Sequence, residues 1–374
     1  MIQDDGLIKK REILKEQINQ GKYKTLVDVL FDVISRLLQK LTRSSKPVSI
    51  WYSALTLTLT TWLVIVLVSL LLGEIDASFF ELYMIAIWLE VLAVAAMIAI
   101  KKLTGSIFKI LNESLIDAIT STENLDDLQN WLANIANLKK HAIVTLVVGL
   151  LFGGLFMPIY WSWIKESSPT SFLANLTYGP LIGAILVSLQ HALNLNYILP
   201  ILGFPARVSR YDYKLYTIDP ASSQIVEKLS DLLNSIIFVS AVTLVIFTLG
   251  LLMLIPFLSG NLVSLALTWG VLVVMFLGGQ TSISQIINQT KWKTLNDIQA
   301  KIEKLQGQEE IPTKDTLEHI NALMDYHDRI RTTRNSALDI RAGLRFLQSL
   351  LLPVIGLLLA NAKEIMKFFA ASGG

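Results

Sequence analysis

Six runs in this chain of 374 residues stay apolar for about the length a helix needs to cross a bilayer, roughly 20 residues. They cover 51–73, 78–100, 142–163, 173–195, 235–257 and 262–279. A seventh, 346–362, is shorter and is interrupted by Pro353 and Gly356. Seven such runs exceed what the buried helices of a soluble domain account for. The expected fold is all-α: a polytopic membrane protein with seven transmembrane helices, six strong and one weak. Composition agrees, because only 17% of the residues are charged and 53% are hydrophobic. An average soluble domain is about 25% charged, so polar side chains are too few here to cover a globule. Cysteine is absent, which removes disulfides, thiolate metal sites and cysteine nucleophiles together.

Lysine and arginine indicate the orientation. Segments 1–50, 101–140, 196–234 and 280–345 carry 10, 5, 4 and 10 of them, 29 of the 32 in the chain. The short turns at 74–77, 164–172 and 258–261 carry 0, 1 and 0. Positively charged loops stay in the cytoplasm, so the N-terminus is expected inside and, after a seventh crossing, the C-terminus outside. The opening Met1-Ile-Gln-Asp-Asp lacks the pattern of a signal peptide. Trp51, Tyr52, Tyr160, Trp161 and Trp163 stand where interfacial aromatic anchors belong. The expected location is a plasma (inner) membrane, with the lipid bilayer itself as the first partner. The charge balance, 32 basic against 30 acidic residues, offers no basic surplus for nucleic acid.

The outer turns are short, so the polar bulk is cytoplasmic and reads as helices. Over 24–43 the apolar positions Leu26, Leu30, Val33, Leu37 and Leu41 recur at helical spacing beside Lys40 and Arg43. That stripe fits either packing against neighbouring helices or contact with the membrane surface. Over 122–139, Leu125, Leu128, Trp131, Ile135 and Leu138 form a second stripe, expected to run unbroken into the third span. After Pro312, Leu317, Ile320, Leu323, Ile330, Ala337, Leu344 and Leu347 lead toward the seventh run. Pro200, Gly203 and Pro205 are expected to break the fourth span, with an extended piece at 211–216. The organisation that results is N-terminal amphipathic helices over 1–50 and a six-helix membrane region over 51–280. The latter has cytoplasmic helical loops at 101–140 and 196–234. A cytoplasmic helical segment follows over 281–345, then the seventh helix and C-terminus over 346–374. Together the inward helix extensions would form a cytoplasmic bundle.

Candidate chemistry is sparse. Glu81 and Glu90 lie within the second span, and intramembrane carboxylates are costly enough to suggest function. Nine residues apart, they fall on opposite faces of one helix. The fourth span carries Gln190, His191, Asn194 and Asn196. His191 is the expected partner of Glu90, although helix arithmetic leaves them about 9 Å apart in depth. Glu74, Asp76 and Glu166 make an acidic outer mouth opposed only by Lys165. Gln348, Ser349, Pro353 and Asn361 are the polar or helix-breaking positions of the seventh run and the candidate pore lining. Asp315, His319 and His327 fall short of a zinc set. No nucleophile elbow, phosphate loop or dinucleotide fingerprint occurs, so neither enzyme chemistry nor a cofactor is expected. The spacings Gly149-x3-Gly153 and Gly179-x3-Gly183 signal close helix contact.

Seven spans, an inner N-terminus, an outer C-terminus and bulky cytoplasmic loops resemble the insect odorant and gustatory receptor class of ion channels. The likeness is topological. The aromatic signature that class carries near the end of its last helix does not occur in 346–370. The resemblance implies a homo-oligomer, specifically a tetramer, with the seventh helix lining the pore and a small-molecule ligand pocket in the outer half. The expected function is therefore an oligomeric cation channel gated by a ligand or by its cytoplasmic bundle. The alternatives are a membrane-anchored sensor or scaffold that binds a soluble partner and, less favoured for lack of internal repeats, a small-solute transporter.

Overall fold

The computed structural model describes residues 2–43, 46, 48–71, 77–156, 178–216, 218–254, 259–307 and 313–335. Among them the regular elements are helices, and the one strand-like feature is an isolated antiparallel bridge between Ile119 and Tyr213. The chain forms two compact units, Met1–Leu215 with Asp231–Ser282, and Tyr216–Ser230 with Ile283–Gly374.

In the first unit, α1 (Ile2–Asn19) and α2 (Leu26–Thr42) precede α3 (Ile50–Leu71) and α4 (Ala77–Ile110). The latter continues through a π-helical turn, Leu111–Leu115, to Ala118. Then come α5 (Thr122–Ile135), α6 (Leu138–Leu151, extended by a π turn at Phe152–Phe156) and α7 (Tyr178–Val208). The chain continues as α8 (Gln224–Leu254), α9 (Ser259–Gln306) and α10 (Lys314–Thr332). The centre of the first unit is α7, which packs on α6, α4 and α3.

Three helices are long and apolar enough to cross a membrane, at Ile50–Leu71, Ile87–Ala118 and Ile182–Val208. The pair Thr122–Ile135 and Leu138–Gly154, bent by 51°, adds a fourth if it is one broken span. The described residues thus hold three or four such helices, not seven. The run 235–257 coincides with α8 as far as Leu254, and 262–279 lies inside α9. The run 346–362 lies outside the described residues.

Local chemistry explains where the sequence expectations fail. The helix over 122–139 does not run unbroken into the next: α5 ends and Asn137 starts α6, its Oδ1 accepting the Lys140 amide at 3.0 Å. Capping of this kind satisfies an otherwise unpartnered N-terminal amide. Leu125, Leu128, Trp131 and Ile135 are buried as expected, while Leu138, at the bend, is exposed. Conversely α7 runs straight through Pro200 and Pro205. Proline removes one donor, but its fixed φ is itself helical. The expected extended piece at 211–216 shrinks to the Ile119–Tyr213 bridge, held by Thr120 N–H to Asp212 O (3.0 Å) and Lys214 N–H to Ala118 O (2.8 Å). In α2 a capping box starts the helix, with Thr25 and Asp28 satisfying each other's amides. Its buried side is Val27, Phe31 and Ile34, whereas Val33, Leu37 and Leu41 of the expected stripe are exposed.

In the second unit, Leu295, Ile298 and Ile302 pack with Ile320 and Ile330. The helix after Pro312 does not lead on into the seventh run; α10 stops at Thr332. The buried Lys291 ammonium explains the stop, donating to Arg331 O (2.8 Å), Thr333 O (2.8 Å) and Asn335 Oδ1 (2.9 Å). A cation at a helix C-terminus satisfies its last carbonyls and complements its dipole.

Candidate functional site

A polar layer crosses the contact of α3, α4 and α7. Glu90 stands 13 residues into α4, Gln190 12 residues into α7 and Thr61 11 residues into α3. At 1.5 Å per residue each lies roughly 16–20 Å from its helix start. Glu90 is 1% exposed. Gln190 Nε2 donates to Glu90 Oε1 at 2.9 Å and to Thr61 Oγ1 at 3.2 Å, so one carboxamide joins three helices.

The expected pair of Glu90 with His191 is not what the geometry holds. His191 Nε2 lies 3.1 Å from Leu89 O, and a carbonyl can only accept, so that nitrogen carries the hydrogen. Neighbouring residues on a helix point about 100° apart, so Gln190 and His191 cannot both face Glu90. The supposed depth gap is absent, because Leu89, Glu90 and Ala93 of α4 stand beside His191, Gln190 and Asn194 of α7 in parallel register. Asn194 Nδ2 donates to Ala93 O at 2.8 Å, and Asn196 Nδ2 to His141 O of α6 at 3.2 Å.

The layer is incompletely satisfied. Glu90 Oε2, Gln190 Oε1, Asn194 Oδ1 and Trp88 Nε1 are buried without a hydrogen-bond partner among the described residues. The arrangement suits a proton or a small cation, both of which bring positive charge to acceptors that lack a donor.

No family model, curated protein or solved structure matches this chain. The functional reading therefore rests on the chain's own geometry.

Toward the C-terminal end of α7 the contacts change to charge pairs and aromatic rings. Tyr197 is fully buried, its ring 4.5 Å from that of His141, and its hydroxyl accepts the Leu26 amide of α2 at 2.8 Å. Asp127 of α5 accepts a two-point contact from Arg207 and a 2.6 Å bond from the Tyr211 hydroxyl. Arg207 above all, then Tyr211, holds the Asp127 carboxyl below its usual range, against a smaller opposing effect of burial. Burial first, and then Asp127, raises the Tyr211 hydroxyl.

Other candidates fall elsewhere. The side chain of Glu81 lies outside the described ones, as do Glu74, Asp76 and Glu166 of the outer mouth. So do Gln348, Ser349, Pro353 and Asn361 of the expected pore. His327 Nδ1 lies 3.4 Å from Asp328 Oδ1, and no three His, Asp or Glu side chains converge as a metal set among the described residues. Gly149 and Gly153 do seat helices closely: a Cβ at either would stand 2.6 Å from an atom of Leu189 or Ile185 of α7. Sequence reasoning missed Thr61, an ordinary residue in an uncharged span, and Tyr197, which looks like core. It also missed Lys291, one of ten basic residues in segment 280–345.

Proposed function

We propose that the chain is an oligomeric channel of the plasma (inner) membrane that conducts cations and is gated by a ligand or by its cytoplasmic helices. On this reading seven helices cross the bilayer with the N-terminus inside and the C-terminus outside. The seventh lines the pathway with Gln348, Ser349, Pro353 and Asn361, and Glu74, Asp76 and Glu166 enrich cations at the outer mouth. The observation that carries the reading is Glu90, a carboxyl group with one unpartnered oxygen, buried at mid-height among membrane-length helices. Such groups are expensive in a membrane and mark ion and proton pathways. A chain that only needed an anchor would gain nothing from one.

The test is imaging of purified particles together with cation flux into dye-loaded vesicles. A symmetric oligomer with 346–362 at its axis and a flux lowered by Glu90→Ala supports the channel. A monomer, or a seventh segment facing lipid, refutes it. One observation favours the second reading, a membrane-anchored scaffold: α10 exposes Leu317 and Met324, seven residues apart on one face. Under that reading a soluble partner covers them and no flux is seen.

A further inference from the structure

The N-terminal helix α2 has two apolar faces, and only one is used. Val27, Phe31 and Ile34 are buried, while Val33, Leu37 and Leu41 are 48%, 55% and 80% exposed. At about 100° per residue these three fall within roughly 80° of arc, beside the buried face rather than opposite it. The acidic groups of α2 are already engaged by the protein. Lys101 Nζ lies 3.8 Å from Asp28 and 3.6 Å from Asp32, Lys24 lies 2.7 Å from Asp32, and Lys101 also covers the Phe31 ring at 5.4 Å. Arg36, Lys40 and Arg43 make no ion pair among the described residues. With the carboxylates neutralised internally, the free end of α2 presents an apolar strip edged by three cations.

The position of α2 says what covers that strip. The helix packs against α3 and α4. Trp51 and Tyr52 open α3 at 62% and 65% exposure, and Lys102 sits 5.1 Å above the Trp51 ring. From there Leu55, Leu59 and Leu63 continue as an exposed apolar face along a helix of membrane length. Aromatic rings and lysines at the start of a span mark the headgroup level, so α2 lies at that level and its apolar strip continues the lipid-facing side of α3.

We infer that α2 is an interfacial helix that inserts Val33, Leu37 and Leu41 into the cytoplasmic leaflet while Arg36, Lys40 and Arg43 bind anionic lipid headgroups. The inference rests on the membrane reading above but not on channel activity. Apolar insertion and basic attraction act together in such helices, and each lysine or arginine near an anionic surface strengthens the attraction.

The absence of cysteine makes single-site labelling direct. Full-length chains carrying Leu37→Cys or Leu59→Cys are labelled with an environment-sensitive fluorophore. They are then reconstituted into vesicles of phosphatidylcholine alone or mixed with phosphatidylglycerol, containing spin-labelled quenching lipids. Quenching at position 59 in both vesicles establishes that the chain spans the bilayer. The inference expects position 37 to be quenched too, about tenfold more favourably in the anionic vesicles, with that preference lost in the triple variant Arg36→Gln, Lys40→Gln, Arg43→Gln. Quenching at 59 with none at 37 overturns it, and so does protection of position 37 from water without lipid quenching, the signature of a second protein copy on the strip. Quenching at 37 that ignores lipid charge overturns the anionic assignment. A label at 59 that no lipid quenches removes the membrane reading itself.

Discussion

Replacing Glu90 tests whether the buried polar layer is a bonded structural unit. Glu90→Leu keeps the volume close to native but removes the acceptor of the Gln190 Nε2 bond at 2.9 Å, leaving that amide only Thr61 at 3.2 Å. A buried donor stripped of its partner costs about 1–3 kcal/mol, although interhelical bonds in membranes average nearer 0.6. Against this, leucine abolishes the cost of burying a carboxyl oxygen that already lacks a partner. The net expectation is a loss of about 1 kcal/mol. Glu90→Gln behaves differently. Its carbonyl still accepts from Gln190, and its amide replaces the unpartnered carboxyl oxygen Oε2 with a neutral group. This variant should equal or exceed the native chain, opening a gap of about 1–2 kcal/mol, roughly tenfold in the folding equilibrium, between the two substitutions. Equilibrium unfolding in mixed micelles, followed by circular dichroism, measures that gap. Equal stability of the two variants, or a leucine variant more stable than both others, would refute the reasoning.

Four other outcomes are expected. Gly153→Ala sets a Cβ 2.6 Å from Ile185 Cα and 3.0 Å from Ala184 O, both backbone, so it should destabilise by about 1–3 kcal/mol in the same assay; Gly154→Ala meets nothing within 4 Å and should not. Asp127 is held below its usual range by Arg207, so its contribution is present above the ordinary carboxylate pKa and lost as pH falls through the lowered one. An acid titration of thermal unfolding should therefore lose part of its acid limb in Asp127→Asn, by a modest amount because the side chain is 43% exposed. Lys291→Met leaves the Arg331 and Thr333 carbonyls without their donor and should cost about 1.5–3 kcal/mol, read by hydrogen exchange as faster opening at the end of α10. Under the channel reading, Asn361→Asp should raise cation conductance and Asn361→Lys lower it, as measured in planar bilayers.

What was legible in the sequence divides along physical lines. Hydrophobic periodicity reports burial, so helices and the cluster Leu125, Leu128, Trp131 and Ile135 could be read directly. In α2 the same signal misled, because Leu26, Leu30, Val33, Leu37 and Leu41 and the set Val27, Phe31 and Ile34 are both helical stripes. Periodicity does not say which stripe the fold uses. Helix ends were harder still: the break at Asn137 and the continuity through Pro200 depend on single hydrogen bonds and tertiary support. Glu90 stood out because a carboxylate in an apolar run is conspicuous. Its partner did not, because the choice between Gln190 and His191 turns on a rotation of about 100° and a register that only packing decides.

That register bears on how such a protein can move. Three bonds tie α7 to α4, from Gln190 to Glu90, His191 to Leu89 O and Asn194 to Ala93 O, all within little more than one helical turn. At about 0.6–1.7 kcal/mol each they contribute roughly 2–5 kcal/mol, and a one-turn slide of about 5.4 Å would break all of them at once. On its other side α7 meets α6 at Gly149 and Gly153, where the backbones are too close for a side chain to pass. Sliding α7 along either neighbour is therefore costly, and α4, α6 and α7 act as one block. Toward α3, Gln190 also donates to Thr61 at 3.2 Å, with Ile65, Trp62 and Leu186 packed beside it. Under the channel reading, a movement of α3 against this block breaks the Gln190–Thr61 bond while leaving the three bonds of α7 to α4 intact.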